Sequence, residues 1–142
     1  MTVFFMPTFP YTSPMNFVYC GNDFMLGAMR RLEREGHRLM GVFTFPCDNV
    51  FNFNRETLAL AQERGIPFTL ERPQSADIEY LIKQGAECFL AAGYLWKIPP
   101  IDDKRAYGIN LHPSYLPKGR GIMPVPHIII NHPEAAGFTI HT

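Results

Sequence analysis

A chain of 142 residues, 46% hydrophobic and with 13 basic side chains balanced by 13 acidic ones, is long enough for one domain with a real core. That balance excludes a disordered chain and argues against non-specific nucleic-acid binding, although one localised basic face docking a single RNA stays compatible with it. Cys20, Cys47 and Cys88 are odd in number, far apart and without metal-ligand spacing, which argues against disulfides or zinc and for a reducing, cytoplasmic setting.

Residues 1–14 read as an N-terminal extension and residues 15–142 as the folded domain. The extension is apolar, yet it lacks a basic start and is interrupted by Pro7, Pro10 and Pro14, so it makes a poor signal peptide. No apolar run approaches the length of a membrane span, so no membrane partner is expected.

From there apolar runs alternate with amphipathic stretches. A strand is predicted over 16–20, then a helix over 24–35 with Asp23 as its cap and Gly36 just past its end. The turn Gly21-Asn22-Asp23-Phe24 lacks the Gly-x-Gly-x-x-Gly spacing of a dinucleotide site, which discounts NAD. Its free backbone N–H groups either hold an anion or start an ordinary helix, and the carboxylate of Asp23 favours the helix.

A second strand follows over 37–45. In the loop between Pro46 and Asn54, Phe51 and Phe53 either mark an acceptor or partner surface or pack on a neighbouring helix. Asn54 caps a predicted helix running to Arg64, with Leu58, Leu60 and Ala61 inward and Gly65 as its stop. Strands are predicted over 67–70 and 88–92 around a helix over 76–84. A strand over 108–111, a helix over 123–130 and a strand over 137–141 complete a βαβ series. Its fold class is α/β: a doubly wound, mainly parallel, Rossmann-like sheet with helices on both faces.

Tyr107 to Leu111 reads as a buried strand, and Pro113 biases His112 towards extended backbone, so Asn110 and His112 point to the same side. Pro113, Pro117, Gly119 and Gly121 end regular structure there, placing the pair where a strand runs out into a shaped loop. Ligands of open α/β sheets bind at that edge. An amide is a fixed donor suited to an oxyanion, and an imidazole beside it donates to the same oxygen or moves a proton near neutral pH. With no activated Cys or Ser in the segment, the pair suits attack by a substrate nucleophile on an acyl-type carbonyl. A bare Asn-x-His equally describes a strand end satisfying its own turn. Lys118 and Arg120 either meet an anionic substrate or form a solvated basic loop.

The twelve residues Asn110-Leu-His-Pro-Ser-Tyr-Leu-Pro-Lys-Gly-Arg-Gly121 closely resemble the signature of the folate-dependent formyltransferases. That family includes methionyl-tRNA formyltransferase, glycinamide ribonucleotide transformylase and sugar N-formyltransferases. Met15-Asn-Phe-Val-Tyr-Cys-Gly21 resembles its first strand, Gly36-His37 through Gly41-Val-Phe-Thr44 its second. Ala91-Ala-Gly-Tyr-Leu-Trp96 resembles the loop lining the folate pocket, and Gly137-Phe-Thr-Ile-His141 the strand before the last catalytic residue.

The resemblance implies transfer of a formyl group from N10-formyltetrahydrofolate to an amine, with no metal. Asn110 and His112 would stabilise the oxyanion, while Gly93, Leu95, Trp96 and Ile98 would surround the pterin-like ring of the donor. Otherwise Tyr94, Leu95 and Trp96 simply cover the sheet edge. The acceptor is expected to be methionyl-tRNA or a nucleotide-linked amino sugar, since Leu-Pro-Lys-Gly-Arg-Gly is closer to those enzymes than to the glycinamide ribonucleotide ones. Family members add a catalytic Asp on the loop after the strand resembling 137–141, and the chain ends at Thr142 without it. The expectation is therefore a domain lacking its C-terminal part. Hydrolysis of the same donor, or a fragment that binds folate or a partner without turnover, are the alternatives.

Overall fold

In the computed structural model, residues 13–48, 50 and 52–142 are described, so most of the predicted extension lies outside the described residues. Six strands form one sheet: β1 (Asn16–Gly21), β2 (Arg38–Phe43), β3 (Phe68–Thr69), β4 (Cys88–Ala92), β5 (Tyr107–His112) and β6 (Thr139–His141). The helices are α1 (Leu26–Arg34), α2 (Arg55–Glu63), α3 (Ser75–Lys83) and α4 (Pro124–Asn131). The strand order is β3-β2-β1-β4-β5-β6, parallel throughout except that β6 runs antiparallel to β5. This is the expected doubly wound architecture, and its direction of winding reverses between β1 and β4.

Alternation along the central strands divides the core between the two faces. Phe17 and Tyr19 of β1 join Leu90 and Ala92 of β4 beneath Leu26 and Met29 of α1 and Leu60 and Ala61 of α2. Val18, Cys20 and Phe89 point the other way, under Ile78 and Leu81 of α3. Each of the large side chains among them contributes about 1.5–3 kcal/mol by leaving water. On β2 the inward residues Leu39 and Val42 are three apart, because the pairing slips by one residue between Phe17↔Leu39 and Val18↔Gly41. This bulge keeps both side chains on the α1 face. Cys20, Cys47 and Cys88 are free thiols, and burial pushes Cys20 well up and Cys88 to about 11.

Helices α1, α2 and α3 each end two residues before a glycine of positive φ, at Gly36, Gly65 and Gly85, one residue short of the predicted ends. Their starts differ from expectation. Asp23 does not cap the helix that follows it; Asn22 does, its side chain accepting from Phe24 N and opening a 3-10 turn (Asp23–Met25) before α1. The Asp23 carboxylate instead receives Glu56 N at 3.0 Å, Thr57 N at 2.8 Å and Thr57 Oγ1 at 2.7 Å, capping α2. Asn54 occupies the cap position of α2, yet its amide donates to Phe45 O. Thr57, rather than Leu58, is fully buried beside Leu60 and Ala61. Asp23→Ala is expected to lower the unfolding free energy by about 1–2 kcal/mol. An unchanged midpoint in urea denaturation would contradict that capping role.

Two other expectations are corrected. The segment 107–111 is half-covered rather than buried: Ile109 and Leu111 touch the α1-side core, while Gly108, Asn110 and His112 face a cleft. The edge strands are shorter than predicted, β3 holding two residues and β6 three, since each has a single neighbour. In the aromatic loop, the Phe53 ring lies 5.0 Å from that of Phe24, which supports packing, and Phe51 lies outside the described residues.

Candidate active site

The carboxyl ends of β1, β4 and β5 meet at the point where the winding reverses. Asn22, buried just past β1, donates through Nδ2 to Gly93 O at 2.8 Å and so ties the first turn to the loop after β4. Gly93 has φ +67°, and a Cβ there would lie 3.1 Å from Asn22 Oδ1. A side chain at 93 would therefore strain the backbone and crowd the amide that holds the loop.

Beyond that tie a cleft of about 1020 Å³ opens over β4 and β5, on the α3 side of the sheet. Asn110, His112, Gly93, Leu95, Trp96 and Ile98 all line it, so the residues the resemblance implies for catalysis and donor binding lie around one cleft. Trp96 is half-buried and held edge-on by Tyr94, ring centroids 5.7 Å apart at 89°, and by Phe45 at 6.4 Å and 80°. It both packs on its neighbours and forms a cleft wall. Such a fixed aromatic surface suits a flat heterocycle.

Asn110 and His112 sit two apart on β5 and share a face, in register with Ala91 of β4 and with His141 and Thr139 of β6. His112 Nε2 is 2.9 Å from Gly119 O. A carbonyl only accepts, so Nε2 carries the hydrogen and Nδ1 is the nitrogen left for another partner. Asn110 Nδ2 lies 3.0 Å from His141 Nε2, and His141 Nδ1 lies 3.3 Å from Thr142 O. Both contacts are satisfied when His141 carries its hydrogen on Nδ1, and Asn110 then keeps a second N–H to donate.

Nothing in the local sequence marks His141 as a partner of the pair. It stands 31 residues from Asn110, and only the antiparallel register of β5 and β6 makes them neighbours. The basic loop divides into two cases. Lys118 donates to Glu134 at 2.6 Å, pulling that carboxyl down to about 2, whereas exposed Arg120 lines the cleft.

Gly119 is the residue on which the His112 geometry turns. It has φ +63°, and a Cβ there would come within 2.7 Å of the Ile128 side chain and 3.1 Å of Ser114 Cβ. Ser114, fully buried, donates from Oγ to Lys118 O at 2.8 Å and approaches Gly119 O at 3.3 Å. Among the described residues no group of three or more His, Cys, Asp or Glu side chains is placed to hold a metal, and no helix is long and apolar enough to cross a membrane.

Fold and site together define a Rossmann-like α/β protein with an amide–imidazole pair in a cleft at the carboxyl ends of its strands. No family model matches the chain. It is 32% identical over 138 residues to a methionyl-tRNA formyltransferase of Dehalococcoides mccartyi, an alignment covering 89% of this chain and 43% of that protein. It is 30% identical over 119 residues to the mitochondrial 10-formyltetrahydrofolate dehydrogenase of Homo sapiens, covering 77% of this chain and 13% of that one. Among solved structures, glycinamide ribonucleotide transformylase 1 from Symbiobacterium toebii shares the fold, with a TM-score of 0.65 at 21% identity over 94% of this chain and 68% of that one. Phosphoribosylglycinamide formyltransferase from Bacillus halodurans does so with a TM-score of 0.66 at 17% identity, over 89% and 70%. The chain is thus a homologue of the folate-dependent formyltransferases. It spans less than half the length of the curated methionyl-tRNA enzymes it matches.

Proposed function

We propose that this domain binds N10-formyltetrahydrofolate and transfers its formyl group to an amine, with Asn110 and His112 as the catalytic pair. The observation that carries this reading is their common face at the end of β5, looking into a cleft whose other wall is the 93–98 loop. The cleft volume is at the upper end of the range for sites that enclose a drug-sized ligand, and the wall of Leu95, Trp96 and Ile98 is apolar, as a pterin-like ring requires.

In this mechanism the acceptor amine attacks the formyl carbon, a C–N bond forms, and the carbonyl oxygen becomes an oxyanion. Asn110 donates its remaining N–H to that oxygen. His112 takes the amine proton on Nδ1 while Gly119 O holds Nε2–H; the C–N10 bond then breaks as His112 gives that proton to N10, which leaves as a neutral amine. Methionyl-tRNA or a nucleotide-linked amino sugar is the proposed acceptor class, the first in keeping with the named activity of the relative from Dehalococcoides mccartyi. Exposed Arg120 at the cleft would meet the phosphate that either acceptor carries.

Calorimetric titration with a stable formyl-folate analogue tests the reading. One-to-one, saturable binding is expected, weakened about tenfold to a hundredfold in Trp96→Ala, as loss of a large buried aromatic contact implies. No binding by a demonstrably folded chain would overturn it.

A further inference from the structure

We propose that Ser114 and Thr139 are positioning residues that decide which nitrogen of His112 faces the substrate. The tautomer follows from the partner of Nε2, and that partner, the Gly119 carbonyl, sits at the end of a short polar chain starting on β6. Thr139 Oγ1 donates to Ser114 O at 2.6 Å and accepts from Leu116 N at 3.1 Å, so one hydroxyl closes the bend on both sides. Ser114 N donates to His112 O at 2.9 Å. Ser114 Oγ then reaches across the bend to Lys118 O and Gly119 O. The Gly119 oxygen has two lone pairs, which lets it accept from His112 while Ser114 lies beside it.

Neither hydroxyl caps one of the helices. Ser114 is fully buried in a loop, where a hydroxyl without a partner would be costly, and both of its contacts are backbone oxygens of the segment that faces His112. Thr139 lies opposite His112 in the β5–β6 register, so its side chain shares the imidazole's face. Thr139 lies 25 residues from Ser114 in sequence and reaches the Gly119 carbonyl only through the Ser114 bend. Beside them, residues 118–119 are held over His112 by the imidazole contact itself, by the Ile128 side chain and by the exposed, weak Lys118–Glu134 ion pair.

The catalytic consequence rests on the formyl-transfer reading, but the tautomer itself does not, and the test separates them. In a chain labelled with 15N-histidine, the ring nitrogens of His112 should report predominantly the Nε2–H form at a pH where the ring is neutral. Thr139→Val keeps shape and strand propensity while removing both hydrogen bonds, and is expected to move the tautomer ratio roughly fivefold towards Nδ1–H, the scale of one lost hydrogen bond. Thr139→Ser should restore it, and Ser114→Ala should repeat the shift from the other end of the chain. With formyl transfer as readout, Thr139→Val should lower kcat while leaving the KM for the donor unchanged. An unaltered tautomer ratio in folded Thr139→Val and Ser114→Ala would overturn the positioning role. A shifted ratio without any formyl transfer in the wild-type chain would sustain the positioning role and count against the proposed function.

Discussion

Asn110→Ala is expected to lower formyl transfer by about a hundredfold to a thousandfold, the usual cost of losing one oxyanion donor. The amide is held by the strand on one side and by His141 Nε2 at 3.0 Å on the other, so it enters the reaction already oriented and needs no rearrangement as charge develops. Donor affinity should hardly change, because the ring-binding wall lies at 93–98 rather than on β5. His141 is exposed and loses its partner to water, so the fold should tolerate the change. Measuring kcat and the dissociation constant of the donor separately decides the matter. Full turnover in Asn110→Ala would remove the amide from the mechanism, and a matching loss of donor affinity would make it a binding residue instead.

Gly119→Ala should act on stability and on the site together. An alanine at φ +63° costs about 1–2 kcal/mol in backbone strain. Its methyl would also press on Ile128 and Ser114, and forcing a methyl into packed surroundings costs about 1–3 kcal/mol. The sum is about 2–5 kcal/mol, a fall of roughly 6–20 °C in Tm for a domain of this size. Relief requires the 118–120 segment to lift, which carries the carbonyl away from His112, so catalysis should fall even where the variant is folded. A Tm within a degree or two of wild type would mean that Ile128 yields freely and that the loop is not the rigid cradle described above.

Much of the architecture was legible because short-range chemistry dictates it. The β4 run Cys-Phe-Leu-Ala-Ala is apolar throughout and ends at Gly93, and its observed bounds are those predicted. Both Asn110 and His112 could be placed on one face because Pro113 keeps the strand extended through the histidine. What escaped the reading depends on pairing between distant segments. Asp23 precedes a helix, and the local rule assigns it there; its real partners are 33 and 34 residues away, across a loop that three-dimensional packing folds back. His141 becomes a neighbour of Asn110 only through strand register, which composition does not encode. The apolar letters of β5 suggested burial, yet three of its residues face a cleft, and a cleft leaves no signature in hydropathy.

The placement of Thr139 and His141 on β6 has a bearing on motion. This strand is three residues long, pairs with one neighbour and carries exposed Ile140 in its middle, so it is among the elements held to the sheet by the fewest interactions. Segments of that kind open and close far more often than the whole molecule unfolds. Every opening parts His141 from Asn110 and Thr139 from the Ser114 bend. A molecule bound in the cleft, by favouring the closed arrangement, would hold β6 against β5 and steady the contacts it makes.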